Sequence, residues 1–230
     1  MPPLLIRFES NLVLCYAYYM DYIEKTIQAY DSSADKYASS TDDMANKQEI
    51  QQMLDYMPDG EKVILDVGCG PGRDAQIMTD NGISVIGIDM SKELIKKAQQ
   101  LHPGINFALM DVRNLEFPDN SFGAVWCNMV LLHLNDEDLK TALVEIHRIL
   151  KPEGIVAISF KKGDGAKEVL ETFSTDLSRF YNFKTQETLN QMVEEQNFEV
   201  LDSHEFNERQ RFGSDKRDLD IVWTFAKKLR

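Results

Sequence analysis

The chain has few cysteines, no long apolar run and no excess of basic residues, and each shortage removes a class of function. Its three cysteines, Cys15, Cys69 and Cys127, show neither paired spacing nor a Cys-x-x-Cys unit. That pattern offers no disulfide framework and points to a reduced, cytoplasmic setting. No apolar stretch approaches the roughly 20 residues that span a bilayer, so no membrane partner is expected. The patchy apolar start, residues 1–19, includes Arg7, Glu9 and Asn11 and lacks both a basic opening and an Ala-x-Ala cleavage site, which argues against a signal peptide. Lysine and arginine number 25 against 38 acidic residues, a net charge of −13. Phosphate backbones demand clustered cations, so this balance argues against a nucleic-acid partner. His102, His147 and His204 show no metal-ligand spacing, and no metal site is expected. Internal repeats and low-complexity segments are missing as well.

What is present is an alternation of strands and helices around one glycine-rich turn. Val63–Val67 is a β-branched, apolar run that breaks on Gly68-Cys69-Gly70-Pro71-Gly72 and reopens at Arg73 as a helix closed by Gly82. Glycine removes the Cβ that would keep a ligand from the backbone, and the following helix start offers free N–H groups. This is the architecture of a nucleotide-type site. Further strands are predicted at 83–88, 105–110, 122–127 and 155–160, with helices after Ser91 and Asn135, both N-cap residues. Such alternation predicts an α/β fold: a parallel sheet with helices on both faces, its ligands at the carboxyl ends of the strands. Asp89, Asp111 and Asn128 close the second, third and fourth strands.

Outside this block the pattern changes. Helices are expected at 21–30 and about 42–57, separated by a Ser- and Asp-rich loop over 31–43. Residues 161–183 read as a long connection with an amphipathic piece (Val169, Leu170, Phe173, Leu177) and an Arg179-Phe-Tyr-Asn-Phe183 cluster. A helix at 186–196 precedes strands near 198–205 and 219–226, joined by a charged hairpin loop over 207–218. The expected division is a peripheral N-terminal extension (1–20), helices covering the ligand site (21–60), and a Rossmann-like domain (61–230) with a substrate-side insertion at about 161–184.

The motifs resemble those of the class I S-adenosylmethionine-dependent methyltransferases, of the small-molecule kind with a type 11/12-like domain, over about residues 30–225. Leu65-Asp66-Val-Gly68-Cys69-Gly70-Pro71-Gly72 is similar to the family's first motif, and Asp89, with Met90 beside it, matches the carboxylate that grips the ribose hydroxyls. Asp111-Val112 matches the pair beside the adenine, and Asn128-Met129 and His133 the strand end that faces the methyl donor. Tyr30-Asp-x-x-Ala34-x-x-Tyr37 resembles the N-terminal element that folds over the cofactor. The resemblance implies a seven-stranded, mostly parallel sheet whose last strand is antiparallel, S-adenosylmethionine as cofactor and S-adenosylhomocysteine as product.

Chemistry supports the same ligand. An ionised Asp89 can accept both hydroxyls of a 1,2-diol. Asp66 is placed to influence the methionine ammonium, and Arg73 is a candidate for its carboxylate. A nicotinamide dinucleotide is the competing ligand, but its fingerprint spaces the third glycine by two residues, whereas Gly70 and Gly72 are separated by Pro71 alone. His133 is either a general base or a residue packing on the cofactor rim. Tyr30, His133, Arg179 and Tyr181 are the candidate acceptor contacts. The Asn- or Asp-Pro-Pro loop of planar-amine methylating enzymes is missing after Asn128. With the acidic charge, this favours a small-molecule acceptor over a protein or RNA. A dinucleotide oxidoreductase and a non-catalytic binding module are the other readings of the same motifs.

Overall fold

All six residues of Phe122–Cys127 are buried, a pattern possible only for a strand covered on both faces. That strand lies at the middle of the sheet. The computed structural model describes residues 4–60, 63–170 and 177–230, with side chains from Tyr22 onward. In chain order the elements are α1 (Leu4–Thr41), α2 (Lys47–Tyr56), β1 (Val63–Val67), α3 (Arg73–Asp80), β2 (Ser84–Asp89) and α4 (Lys92–Leu101). They continue with β3 (Asn106–Leu109), β4 (Phe122–Cys127), a 3-10 turn (Leu131–His133), α5 (Asp136–Ile149), β5 (Leu150–Lys161), β6 (Ala166–Leu170) and β7 (Ser178–Asn182). α6 (Gln186–Glu194), β8 (Phe198–Asn207), α7 (Glu208–Phe212) and β9 (Asp220–Lys228) complete the described chain.

The seven-stranded sheet runs β3-β2-β1-β4-β5-β9-β8. β1 to β5 pair in parallel. β9 slots between β5 and β8 and is antiparallel to both, as expected for the last strand. Alternate side chains feed two cores. Leu65, Val125, Val156 and Ile158 meet α5 through Leu139, Leu143 and Ile146 on one face. Ile64, Ala124, Trp126 and Trp223 meet α2 and α3 through Ile50, Met53 and Met78 on the other. Among the described residues, no helix is long and apolar enough to cross a membrane.

Three stretches differ from the sequence reading. Residues 31–41 are helical, the last turns of α1, not a loop. Their hydroxyls bond backward inside the helix: Ser33 Oγ donates to the Ala29 carbonyl at 2.5 Å and Thr41 Oγ1 to the Tyr37 carbonyl at 2.9 Å. Asp31 turns outward and accepts from Ser91 Oγ at 2.5 Å and from the Glu93 N–H at 3.2 Å. The polar residues that suggest a loop are therefore satisfied by the helix itself and by α4. The helix expected from about 42 starts at Lys47.

The insertion after β5, expected as a long connection, contains a two-stranded antiparallel hairpin, β6–β7; Phe173 of the expected amphipathic pattern lies outside the described residues. Residues 207–218 include the short helix α7, capped by Asn207, whose Oδ1 accepts from the Gln210 N–H at 3.2 Å. Ion pairs Arg211–Glu49 (2.5 Å) and Lys216–Asp43 (2.8 Å) tie this segment to α2 and its approach. The backbone of α1 is continuous from Leu4, so the boundary expected at residue 20 falls inside a helix. The side chains of the proposed peripheral extension lie outside the described residues.

Candidate active site

The carboxyl ends of β1, β2 and β4 open into two adjoining cavities of about 100 and 430 Å³, and Tyr30, Tyr37, Gly68, Gly70, Asn128, Met129 and His133 line both. The turn between β1 and α3 needs its glycines. Gly68 has φ +67°, and a Cβ there would sit 2.3 Å from a Val130 methyl carbon. A Cβ at Gly70 would meet only the Tyr37 ring, at 3.6 Å.

In the smaller cavity Asp89 anchors the turn. Its Oδ2 accepts the Gly70 N–H at 2.9 Å and its Oδ1 the Ser91 N–H at 2.8 Å. Each oxygen therefore spends one lone pair on backbone and keeps another, the arrangement a vicinal diol requires. Burial raises the pKa of Asp89, although three backbone N–H groups work in the opposite direction. Ile27, Met90, Leu94, Met110 and Val112 supply the apolar walls of a flat slot beside it. The Asp111 carboxylate does not line this cavity. It is held by Arg113 Nη2 at 2.6 Å and Nε at 3.0 Å, and Arg113 reaches on to Asp138 at 3.1 Å. Val112 lies at the slot, while Asp111 anchors the loop behind it.

In the larger cavity the carboxyl of Asp66, 2% exposed, has an Oδ2 with no hydrogen-bond partner among the described residues. Burial first, and then the neighbouring Asp74 charge, push its pKa well above the usual carboxylate range, against the pull of Arg73. Asp74 organises the rest of this wall. It accepts Arg73 Nε at 2.8 Å, Asn128 Nδ2 at 2.8 Å and Trp126 Nε1 at 3.1 Å. Arg73 Nη1 also donates to the Thr41 carbonyl at 2.6 Å, which ties α3 to the end of α1. Ser159 Oγ donates to Asn128 Oδ1 at 2.9 Å and accepts the Met129 N–H at 2.9 Å. The chain fixes Met129 in a left-handed conformation, φ +56°, a costly geometry for a side chain with a Cβ. Cys69 is buried in the turn and its thiol is pushed well up, first by burial, so it is a poor nucleophile.

Opposite the turn is an aromatic and cationic cluster. His133 Nδ1 lies 2.7 Å from the Phe180 carbonyl and Nε2 lies 2.9 Å from the Tyr30 hydroxyl. A carbonyl only accepts, so Nδ1 carries a proton. In the neutral ring Nε2 then accepts from Tyr30. The Tyr37 ring meets Tyr30 edge-on at 5.1 Å, and partial burial raises its pKa. Arg179 and Tyr181 come from β7, and Lys161 from the end of β5.

Structure thus brings together every nominated residue except the Asp111 side chain. It adds Asp74, Ser159, Lys161, Ile27 and Met110, which sequence reasoning did not single out. Asp74 had a visible signal, an acid in the first turn of the helix after the glycines. Ser159 and Lys161 had none, because their roles arise from β5 lying beside β4.

Residues 65–158 match the family described as "Methyltransferase domain". The chain is 28% identical over 171 residues to a malonyl-[acyl-carrier protein] O-methyltransferase of Pseudescherichia vulneris, covering 74% of this chain and 64% of that one. It is 38% identical over 110 residues to the 2-methyl-6-phytyl-1,4-hydroquinone methyltransferase of Synechocystis, covering 46% of this chain and 34% of that one. The chain thus spans less than two thirds of the length of these curated relatives. Among solved structures, a Burkholderia thailandensis 1,6-didemethyltoxoflavin-N1-methyltransferase with bound 1,6-didemethyltoxoflavin and S-adenosylhomocysteine superposes with a TM-score of 0.69. Its sequence identity is 22%, and the match covers 92% of this chain and 91% of that one. Residues 65–158 thus carry a match to a methyltransferase domain, on a fold shared with S-adenosylmethionine-dependent methyltransferases of known structure.

The turn geometry is testable without any ligand. Gly68→Ala forces a Cβ against Val130 at positive φ and is expected to lower stability by about 1–3 kcal/mol, read from the urea midpoint. An unchanged midpoint would show that the turn does not depend on this glycine.

Proposed function

We propose that the protein binds S-adenosylmethionine across the two cavities and directs its methyl group to a small-molecule acceptor. The observation that carries this reading is the pair of carboxylates, Asp66 buried and Asp89 half-buried, flanking one glycine turn. Asp89 has a lone pair to spare on each oxygen, and Asp66 has an oxygen with no partner. A diol at the first and an ammonium at the second would complete both. Met90 and Val112 wall the adenine slot, and the Asp111–Val112 backbone offers its polar edge. The Arg73 guanidinium, fixed by Asp74, is the contact for the methionine carboxylate. Tyr37 covers Gly70, and Asn128 and Met129 face the methyl group.

When bound, the cofactor supplies an electrophilic methyl on a sulfonium sulfur. The chain's own part is alignment and proton handling. His133 Nε2, the acceptor nitrogen of the neutral tautomer that the Nδ1–H bond to Phe180 selects, takes the acceptor's proton directly or through the Tyr30 hydroxyl. The aromatic acceptor side and the net charge of −13 support a small acceptor. The relatives named for hydroquinone and toxoflavin-type substrates support it too.

Calorimetry tests the cofactor reading. S-adenosylhomocysteine is expected to bind the wild type, and Asp89→Ala to weaken it about 10- to 100-fold, as the loss of hydrogen bonds to a charged group does; no binding to the wild type would sink the reading. Asp66 sets the pH dependence. Its raised pKa favours the protonated form in the empty site and an arriving ammonium favours the ionised form, so binding is expected to release protons as the pH falls toward the carboxylate range. Affinity should rise from the ordinary carboxylate range toward neutrality, and Asp66→Asn should flatten that rise. A flat wild-type profile would remove Asp66 from the ammonium site. With an acceptor in hand, His133→Ala is expected to lower turnover about 10²- to 10⁴-fold and to abolish the acid limb of the pH–rate profile while leaving S-adenosylhomocysteine affinity intact. Unchanged turnover would place proton handling elsewhere.

A further inference from the structure

The larger cavity holds a buried guanidinium with no carboxylate partner among the described residues. Three of its carboxylates are matched: Asp74 with Arg73, Glu208 with Arg217, and Asp215 with Lys216. The fourth, Asp66, is the one assigned above to the cofactor ammonium. The unmatched cation is Arg179. It is 1% exposed yet lines the cavity, and no carboxylate among the described residues lies within ion-pair distance of it. Its Nη2 donates to Ser33 Oγ at 3.2 Å, a further side-chain hydrogen bond joins it to Tyr181, and its buried Nε has no hydrogen-bond partner. The face of the guanidinium lies 3.8 Å from the Tyr30 ring centroid and 5.6 Å from that of Tyr37. Those rings supply some attraction, but they do not neutralise a buried charge as an anion would.

A guanidinium over an aromatic face can still offer its remaining N–H groups, the unpartnered Nε among them, to a planar, two-oxygen anion. Lys161, 6% exposed, brings a second cation to the same wall, with Nζ 3.5 Å from the Tyr181 ring centroid. The aromatic ring beneath Arg179 is also the ring whose hydroxyl bonds His133 Nε2 at 2.9 Å. An anion docked on Arg179 would thus be oriented relative to the proton-handling pair by one shared side chain.

Resting on the methyltransferase reading, we propose that the methyl acceptor carries a carboxylate and that Arg179 is the residue that selects it. Benzoate, its uncharged isostere benzamide, and inorganic phosphate are suitable probes, titrated calorimetrically into protein saturated with S-adenosylhomocysteine. Benzoate is expected to bind the wild type about tenfold tighter than benzamide, the size of one charge-assisted pair. Arg179→Gln should erase that preference and Arg179→Lys retain part of it, with S-adenosylhomocysteine affinity unchanged in both. Equal binding of benzoate and benzamide to the wild type overturns the proposal even if a variant fails to fold. Phosphate binding tighter than benzoate overturns the carboxylate assignment. If Arg179→Gln weakens S-adenosylhomocysteine as much as benzoate, the guanidinium belongs to the methionine carboxylate and the proposal falls. Absence of S-adenosylhomocysteine binding to the wild type overturns the cofactor reading and this inference with it; cofactor binding without discrimination between the probes overturns this inference alone.

Discussion

Two backbone N–H groups converge on one half-buried carboxylate, and the site depends on that convergence. Gly70 comes from the turn after β1 and Ser91 from the cap of α4, and Asp89 holds both. The register of β1 against β2 places Asp89 at the strand end beside the turn, with Val67 paired to Ile88. A carboxylate partly removed from water needs such donors to remain acceptable inside the fold. The same donors stop a glycine-rich turn from sampling the many conformations open to it. Secondary structure, ligand geometry and local rigidity thus share one side chain.

A second convergence lies one residue beyond the turn. Asp74 gathers donors from α3, β4 and the residue after β4, and through Asn128 and Ser159 the influence of β5 reaches the backbone of Met129. The strained Met129 backbone is over-determined by this chain of bonds. Held groups contribute to transfer chemistry by positioning, since little else is asked of the protein when the ligand carries the reactive bond.

Most of the sheet was legible in the sequence because its strands are apolar on both faces and bounded by glycine, proline or caps. Asp66, Asp89 and Asn128 were legible because they terminate those strands. Residues 31–41 were misread because Ser, Asp and Thr favour turns locally, and only α4, distant in sequence, shows where Asp31 finds partners. The hairpin around Arg179 was illegible for a related reason. Its strands cover other elements instead of joining the main sheet, so neither period 2 nor period 3.6 stands out. Asp111 shows the opposite limit. Its position in the motif was readable, but the capture of its carboxylate by Arg113, two residues on, depends on loop geometry. No local pattern announces that Arg179 lacks a counter-ion.

The uninterrupted course of α1 past Tyr30 and Tyr37 has a consequence for how ligands come and go. A cover made from a loop must be ordered each time a ligand binds, and that ordering subtracts from affinity. Here the cover is a helix whose hydroxyls are already bonded to their own carbonyls, so its backbone entropy was lost on folding. A ligand that enters beneath this helix therefore avoids the ordering cost that a loop would impose.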